Sequence, residues 1–167
     1  FNVLGPLTNP AGVPNLLLGV FSDELLEPLA EVLRKLGSRH VMVVHSDDGL
    51  DELSIAAPSR VAELKGGVVK EYALDPNDFG LADTLEGLAV DSAEQSLALI
   101  NGAFTRKDGE PAQKAAKIIA LNAGAAIYVS GLVATLSDGI AMAEDILAAG
   151  TAAEKLKDFA EFTQLSE

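Results

Sequence analysis

The sequence predicts an α/β fold whose first half alternates strand and helix and whose second half is helical. Three observations predict it. Two short apolar runs, residues 16–21 and 41–44, flank an amphipathic segment. A Gly66-Gly67 pair joins two further strand-like segments. From about residue 91 onward the punctuation is that of helices, with capping residues ahead of apolar-periodic stretches.

The opening residues 1–15 carry Gly5, Pro6, Pro10, Gly12 and Pro14, repeated breakers that predict an irregular segment. The run 16–21 is short enough for a buried strand. Ser22 follows as a candidate N-cap, with Asp23 and Glu24 placed to favour the helix dipole. Leu25, Leu26, Leu29, Val32, Leu33 and Leu36 then share one helical face, Pro28 sits near the start, and Gly37 ends the helix. The run 41–44 predicts a second buried strand. Strand, helix and strand in ~30 residues make a βαβ unit with parallel strands.

Residues 60–64 and 68–74 predict a hairpin across Gly66-Gly67. Residues 75–90 read as loop. Asp91 with Glu94 forms a candidate capping box for a helix that presents Leu97, Ile100 and Phe104. Lys107-Asp108-Gly109 reads as a turn, and Pro111 suits the first position of a helix running to about Ser130. Its alanines allow close approach of neighbouring elements. Ser137 is the candidate cap of the next helix, ending near Gly150, and Thr151 with Glu154 starts the last. No repeat, low-complexity tract or interdomain linker interrupts the 167 residues, which suit one domain.

Composition narrows the function. With 25 acids against 12 bases, the net charge of −13 speaks against a nucleic-acid partner. An acidic protein that handles a phosphorylated small molecule needs a local cation, usually a divalent metal. No apolar run approaches the ~18 residues of a membrane span, and the Ala-rich windows 118–133 and 140–149 read as buried helix. The absence of cysteine excludes disulfides and thiolate metal sites and fits a reducing cytoplasm, the expected compartment. The first residue is Phe1 rather than Met, inside a Gly/Pro segment, and the chain reads as a fragment or a processed product.

The densest polar cluster is His45-Ser46-Asp47-Asp48-Gly49-Leu50-Asp51-Glu52, at the C-terminal end of the second strand. Ligands gather at that edge in open α/β sheets. Four carboxylates this close are costly unless a cation or water relieves them. Mg²⁺ prefers a few carboxylates completed by waters and substrate phosphates, so the loop suits such an ion. A solvated acidic loop explains the same residues, and both readings stay open on pattern alone. Leu4-Gly5-Pro6-Leu7-Thr8-Asn9-Pro10 is a second candidate, since Gly admits close backbone approach and Pro stiffens a loop; a purely structural turn is its alternative.

His45 reads as a packed or hydrogen-bonded residue rather than a base, His40 as a surface residue before the strand, and Asn122 as a buried hydrogen-bonding residue. No Ser–His–acid set, Walker A sequence or G-x-G-x-x-G is present. No catalytic side chain is assigned.

Together these segments resemble the anthranilate phosphoribosyltransferase family. Phe1-Asn2-Val3-Leu4-Gly5-Pro6-Leu7-Thr8-Asn9-Pro10 resembles one signature, and Val44-His45 followed by Gly49-Leu50-Asp51-Glu52-Leu53-Ser54 a second. Ile119-Ala120-Leu121-Asn122-Ala123-Gly124-Ala125-Ala126 is similar to a third. Ser46 departs from the Gly of many members. The resemblance implies the C-terminal part of a nucleoside phosphorylase/phosphoribosyltransferase-type catalytic domain, a sheet flanked by helices. The N-terminal helical domain and the Gly-rich diphosphate loop of the family would lie upstream of Phe1. It implies transfer of a phosphoribosyl group from phosphoribosyl diphosphate to anthranilate, in tryptophan biosynthesis, by a homodimeric full-length enzyme. It implies Mg²⁺ on Asp51 and Glu52, and Gly5 and Pro6 along the anthranilate site. The isolated polypeptide is expected to be inactive. A pyrimidine nucleoside phosphorylase relative and a non-catalytic nucleic-acid-binding relative share the architecture and stand as alternatives.

Overall fold

The computed structural model describes residues 4–105 and 109–164. The motif positions Phe1, Asn2 and Val3, and the Lys107-Asp108 part of the expected turn, lie outside these residues.

Four strands form one mixed sheet in the order β1 (Asn15–Gly19), β2 (His40–Ser46), β3 (Ser59–Lys65), β4 (Val68–Leu74). β1 and β2 are parallel, with Asn15 opposite His40 and Gly19 opposite Val44, as the βαβ pattern predicts. β1 is shorter than expected. Val20 still donates to Val44 O at 2.9 Å, but Phe21 leaves the sheet and is exposed. β3 runs antiparallel to both neighbours. The Gly66-Gly67 connection is the expected hairpin, with φ of 60° and 80°, the left-handed pair that matches strand twist.

The alternation along β2 sorts the core into two layers. Val41 and Val43 face α1 (Leu26–Lys35), packing with Leu18, Leu29, Leu33 and Leu64. Met42 and Val44 face the opposite side, packing with Leu53, Leu121, Ala125 and Ile140. Each fully buried aliphatic side chain stabilises the fold by about 1.5–3 kcal/mol. Ser22 makes no side-chain cap bond, because a 3-10 turn at Asp23–Leu25 intervenes before α1. The buried stripe of α1 is narrower than predicted: Leu36 and Val32 are both exposed. Gly37, with φ 92°, closes the helix by donating to Arg34 O while Ser38 donates to Leu33 O.

The second half contributes α2 (Ala93–Phe104), α3 (Glu110–Ser130), α4 (Leu136–Ala148) and α5 (Thr151–Gln164). Caps fall close to the predicted ones but not on them. Ser92, not Asp91, accepts from Gln95 N, and Thr135, not Ser137, accepts from Asp138 N. Thr151 is already the first residue of α5. Within 75–90 a 3-10 turn at Pro76–Phe79 is capped by Asp75, which accepts from Asn77 N. Leu97 is exposed rather than packed. α3 does approach a neighbour closely, but at glycines rather than at the alanines expected to allow it. A Cβ on Gly124 would overlap the backbone of Ile140, and one on Gly139 would overlap the carbonyl of Gly124, so α3 and α4 cross backbone to backbone.

His40 is the clearest correction. It begins β2 and is 9% exposed, its Nε2 donating to Glu63 Oε1 at 2.8 Å and its ring edge-on to Tyr128. Glu63 also accepts from Tyr72 Oη at 2.9 Å and Tyr128 Oη at 2.8 Å, tying α3 to β2, β3 and β4. Burial opposes the charge on Glu63, yet these three donors hold its carboxyl below the usual range.

Candidate functional site

The parallel strands β1 and β2 end at one edge, and the loop after β2 returns across the end of β1. Ser46 N donates to Leu50 O at 3.0 Å and Gly49 N to Ser46 O at 2.9 Å, with Gly49 at φ 94° making the tight turn. The backbone of Asp51 then lies against Gly19, so closely that a Cβ there would collide with the Asp51 carbonyl.

The four acids of this loop have different fates. Asp47 Oδ1 accepts from Arg60 Nε at 3.1 Å. Asp48 accepts from Ser54 Oγ at 2.5 Å and from Leu50 N at 3.3 Å. Burial opposes ionisation of Asp48, but the Ser54, Ser46 and backbone donors outweigh it and its carboxyl lies below the usual range. Among the described residues, Asp51 and Glu52 have neither an ion-pair nor a side-chain hydrogen-bond partner. The carboxyl of Glu52 is pushed up, first by loss of water around it and then by the neighbouring Asp51 charge. Asp51 and Glu52 are thus two adjacent carboxylates that no side chain among the described residues neutralises.

Asp51 also lines a cavity of about 440 Å³ whose other walls include Pro6, Gly19, Phe21 and Leu25. The structure therefore brings Pro6 and Asp51 together, 45 residues apart in sequence. Pro6 is half-buried at the second position of a 3-10 turn, Gly5–Thr8, braced by Thr8 Oγ1 donating to Gly5 O at 3.0 Å. Gly5 is exposed, with open space where a Cβ would stand. Glu52 faces a separate cavity of about 420 Å³, with Asp51 between the two and Leu88, Ile100 and Ile118 on its apolar walls. His45 takes the structural role expected of it, its Nδ1–H donating to Val20 O at 2.8 Å.

The model of the glycosyl transferase family, a/b domain, matches residues 1–153 of the chain. The chain belongs to this family. As a member of the glycosyl transferase family, it is 65% identical over 166 residues to the anthranilate phosphoribosyltransferase of Saccharophagus degradans, covering 99% of this chain and 49% of that protein. Among solved structures, it superposes on the anthranilate phosphoribosyltransferase of Thermus thermophilus with a TM-score of 0.85 at 39% identity, covering 97% of this chain and 47% of that one. The Saccharomyces cerevisiae enzyme in complex with PRPP and Mg gives 0.77 at 28% identity, over 93% of this chain and 44% of that one. The chain spans about half the length of the relatives it matches.

Two residues that shape the site in this glycosyl transferase family chain escape sequence reading. Gly19 has a local signal, a glycine at the end of an apolar strand, which marks close backbone approach. Phe21 has none: it reads as the last residue of a strand, whereas it stands 62% exposed at the cavity wall.

Proposed function

We propose that this chain supplies the metal-holding and acceptor-side edge of an enzyme that transfers the phosphoribosyl group of phosphoribosyl diphosphate to anthranilate, a step toward tryptophan. The observation that carries the reading is the pair Asp51 and Glu52. They are the acids of the loop without a side-chain partner among the described residues, and Asp51 shares a cavity with Pro6. Family membership and the names of the relatives support the reaction.

The donor set fits Mg²⁺. It offers carboxylate oxygens alone, and the described residues hold no cluster of three or more His, Cys, Asp or Glu that would enclose an ion without outside ligands. Two carboxylates completed by water and substrate phosphates match the habit of this cation. The chemistry such an ion supplies when bound is neutralisation of the charge that develops on the departing diphosphate.

In the reaction the bond from the anomeric carbon to diphosphate breaks, a bond to the amine nitrogen of anthranilate forms, and the amine proton passes to solvent. Pro6 and Gly5 give the acceptor a stiff, uncrowded edge. Leu18, Leu25 and Leu29 line the cavity with apolar surface suited to a flat ring. Orientation and electrostatics supply most of the rate, with no general base required from this chain. The full-length enzyme is a homodimer in the cytoplasm in this reading, and the 167-residue chain alone is inactive.

The test is an assay of the complete protein with phosphoribosyl diphosphate, Mg²⁺ and anthranilate, following loss of anthranilate fluorescence. Formation of phosphoribosyl anthranilate is expected, without competition from thymidine. Turnover of thymidine with phosphate instead would replace the reading with that of a nucleoside phosphorylase.

A further inference from the structure

Asn122, in the middle of α3, reaches across to the acidic loop 69 residues away. Its Oδ1 accepts from Leu53 N at 3.0 Å, and its Nδ2 donates to Leu53 O at 2.8 Å and to Ile118 O at 3.0 Å. The amide thus pairs with both backbone groups of one residue, as a neighbouring strand would, while its third bond anchors it to its own helix. Leu53, 1% exposed, follows directly after Asp51 and Glu52. Gly19 meets the same segment from the other side, at the Asp51 carbonyl. The backbone bearing the two acids is held from both sides, although their carboxylates touch no protein partner among the described residues.

We infer that Asn122 is a positioning residue for the Asp51–Glu52 pair: it holds the loop backbone through Leu53 so that both carboxylates meet one divalent cation. The inference rests on the metal-holding role proposed above. The amide supplies one acceptor and two donors, and all three are used here. Ala leaves Leu53 N and O unpaired in a buried place, and Asp keeps the acceptor but loses both donors. Residues that orient metal ligands from behind typically govern affinity by about 10–100-fold.

The experiment measures Mn²⁺ binding by electron paramagnetic resonance of the free ion, with phosphoribosyl diphosphate present. It compares the complete protein with Asn122→Ala, Asn122→Asp, Tyr128→Phe and the double variant Asp51→Asn/Glu52→Gln. Thermal unfolding and the Mg²⁺ concentration for half-maximal rate are recorded alongside. Tyr128→Phe loosens the far end of α3 by removing its bond to Glu63, and controls for general destabilisation. Asn122→Ala is expected to weaken Mn²⁺ at least tenfold and to raise the Mg²⁺ requirement, with the KM for anthranilate little changed. Asn122→Asp should fall between Ala and wild type, and Tyr128→Phe should bind as wild type. Wild-type affinity in both Asn122 variants, equal weakening by Tyr128→Phe, or failure of both Asn122 variants to fold where Tyr128→Phe folds would each overturn the inference. Unchanged binding in the Asp51→Asn/Glu52→Gln variant would instead overturn the metal-holding role itself.

Discussion

The Cα of Gly19, the last residue of β1, lies directly beneath the carbonyl of Asp51, with no room for a Cβ between them. The end of a parallel strand is thereby the platform on which the acidic loop rests. Gly19→Ala must move that loop. Such overpacking costs about 1–3 kcal/mol, and the displaced acids should show in catalysis. The expected result is a modestly lowered unfolding midpoint together with a much larger loss of Mg²⁺-dependent turnover, checked by thermal unfolding and Mg²⁺ titration of the rate.

The crossing of α3 and α4 is equally intolerant. Gly124 and Gly139 face each other's helices, and a methyl on either meets backbone rather than a side chain that can swing aside. Gly124→Ala and Gly139→Ala should each lower stability by about 1–3 kcal/mol despite the better helix propensity of Ala. Urea midpoints would read this directly. Because α3 also carries Asn122, loss at Gly124 should be accompanied by weaker metal binding.

Glu63 makes stability depend on pH. Its folded carboxyl lies below its ordinary value of 4.5, because three hydrogen-bond donors outweigh the burial that opposes its charge. A depressed acid contributes stability that is present above its unfolded pKa and lost as pH falls through the folded one. The urea midpoint of the wild type should therefore decline on acidification below about pH 4.5. In Glu63→Gln that part of the slope should flatten. At neutral pH the same variant should be less stable by about 1–3 kcal/mol, since one of the two oxygens that accept from His40, Tyr72 and Tyr128 becomes an amide donor facing a donor.

Elements fixed by local pattern were legible in the sequence. The βαβ unit followed from two apolar runs around one amphipathic stripe, and the hairpin from Gly66-Gly67. The starts of α2 and α4 were legible only to within two residues. Asp91 and Ser92, or Thr135 and Ser137, compete as caps, and the outcome depends on which oxygen reaches a free N–H. The burial of His40 is not legible locally, because its partners Glu63 and Tyr128 are distant in sequence. The same limit applied at the site. The acid cluster was visible, but that Arg60 on β3 engages Asp47 and Ser54 folds back on Asp48, leaving Asp51 and Glu52, depends on how the loop turns and on the strand that follows it. Asn122 was legible as a buried hydrogen-bonding residue, whereas its partner Leu53 was not.

The proposed transfer requires Asp51 and Glu52 to hold a divalent cation for the diphosphorylated sugar. Exposed acids seldom contribute much stability, so Asp51→Asn/Glu52→Gln should fold with an unchanged midpoint, within about 0.5 kcal/mol. The decisive measurement is the Mg²⁺ dependence of phosphoribosyl transfer by that variant in the complete protein. The expected result is a severe loss of turnover with at least a tenfold higher Mg²⁺ requirement. Wild-type turnover at low Mg²⁺ would contradict the account.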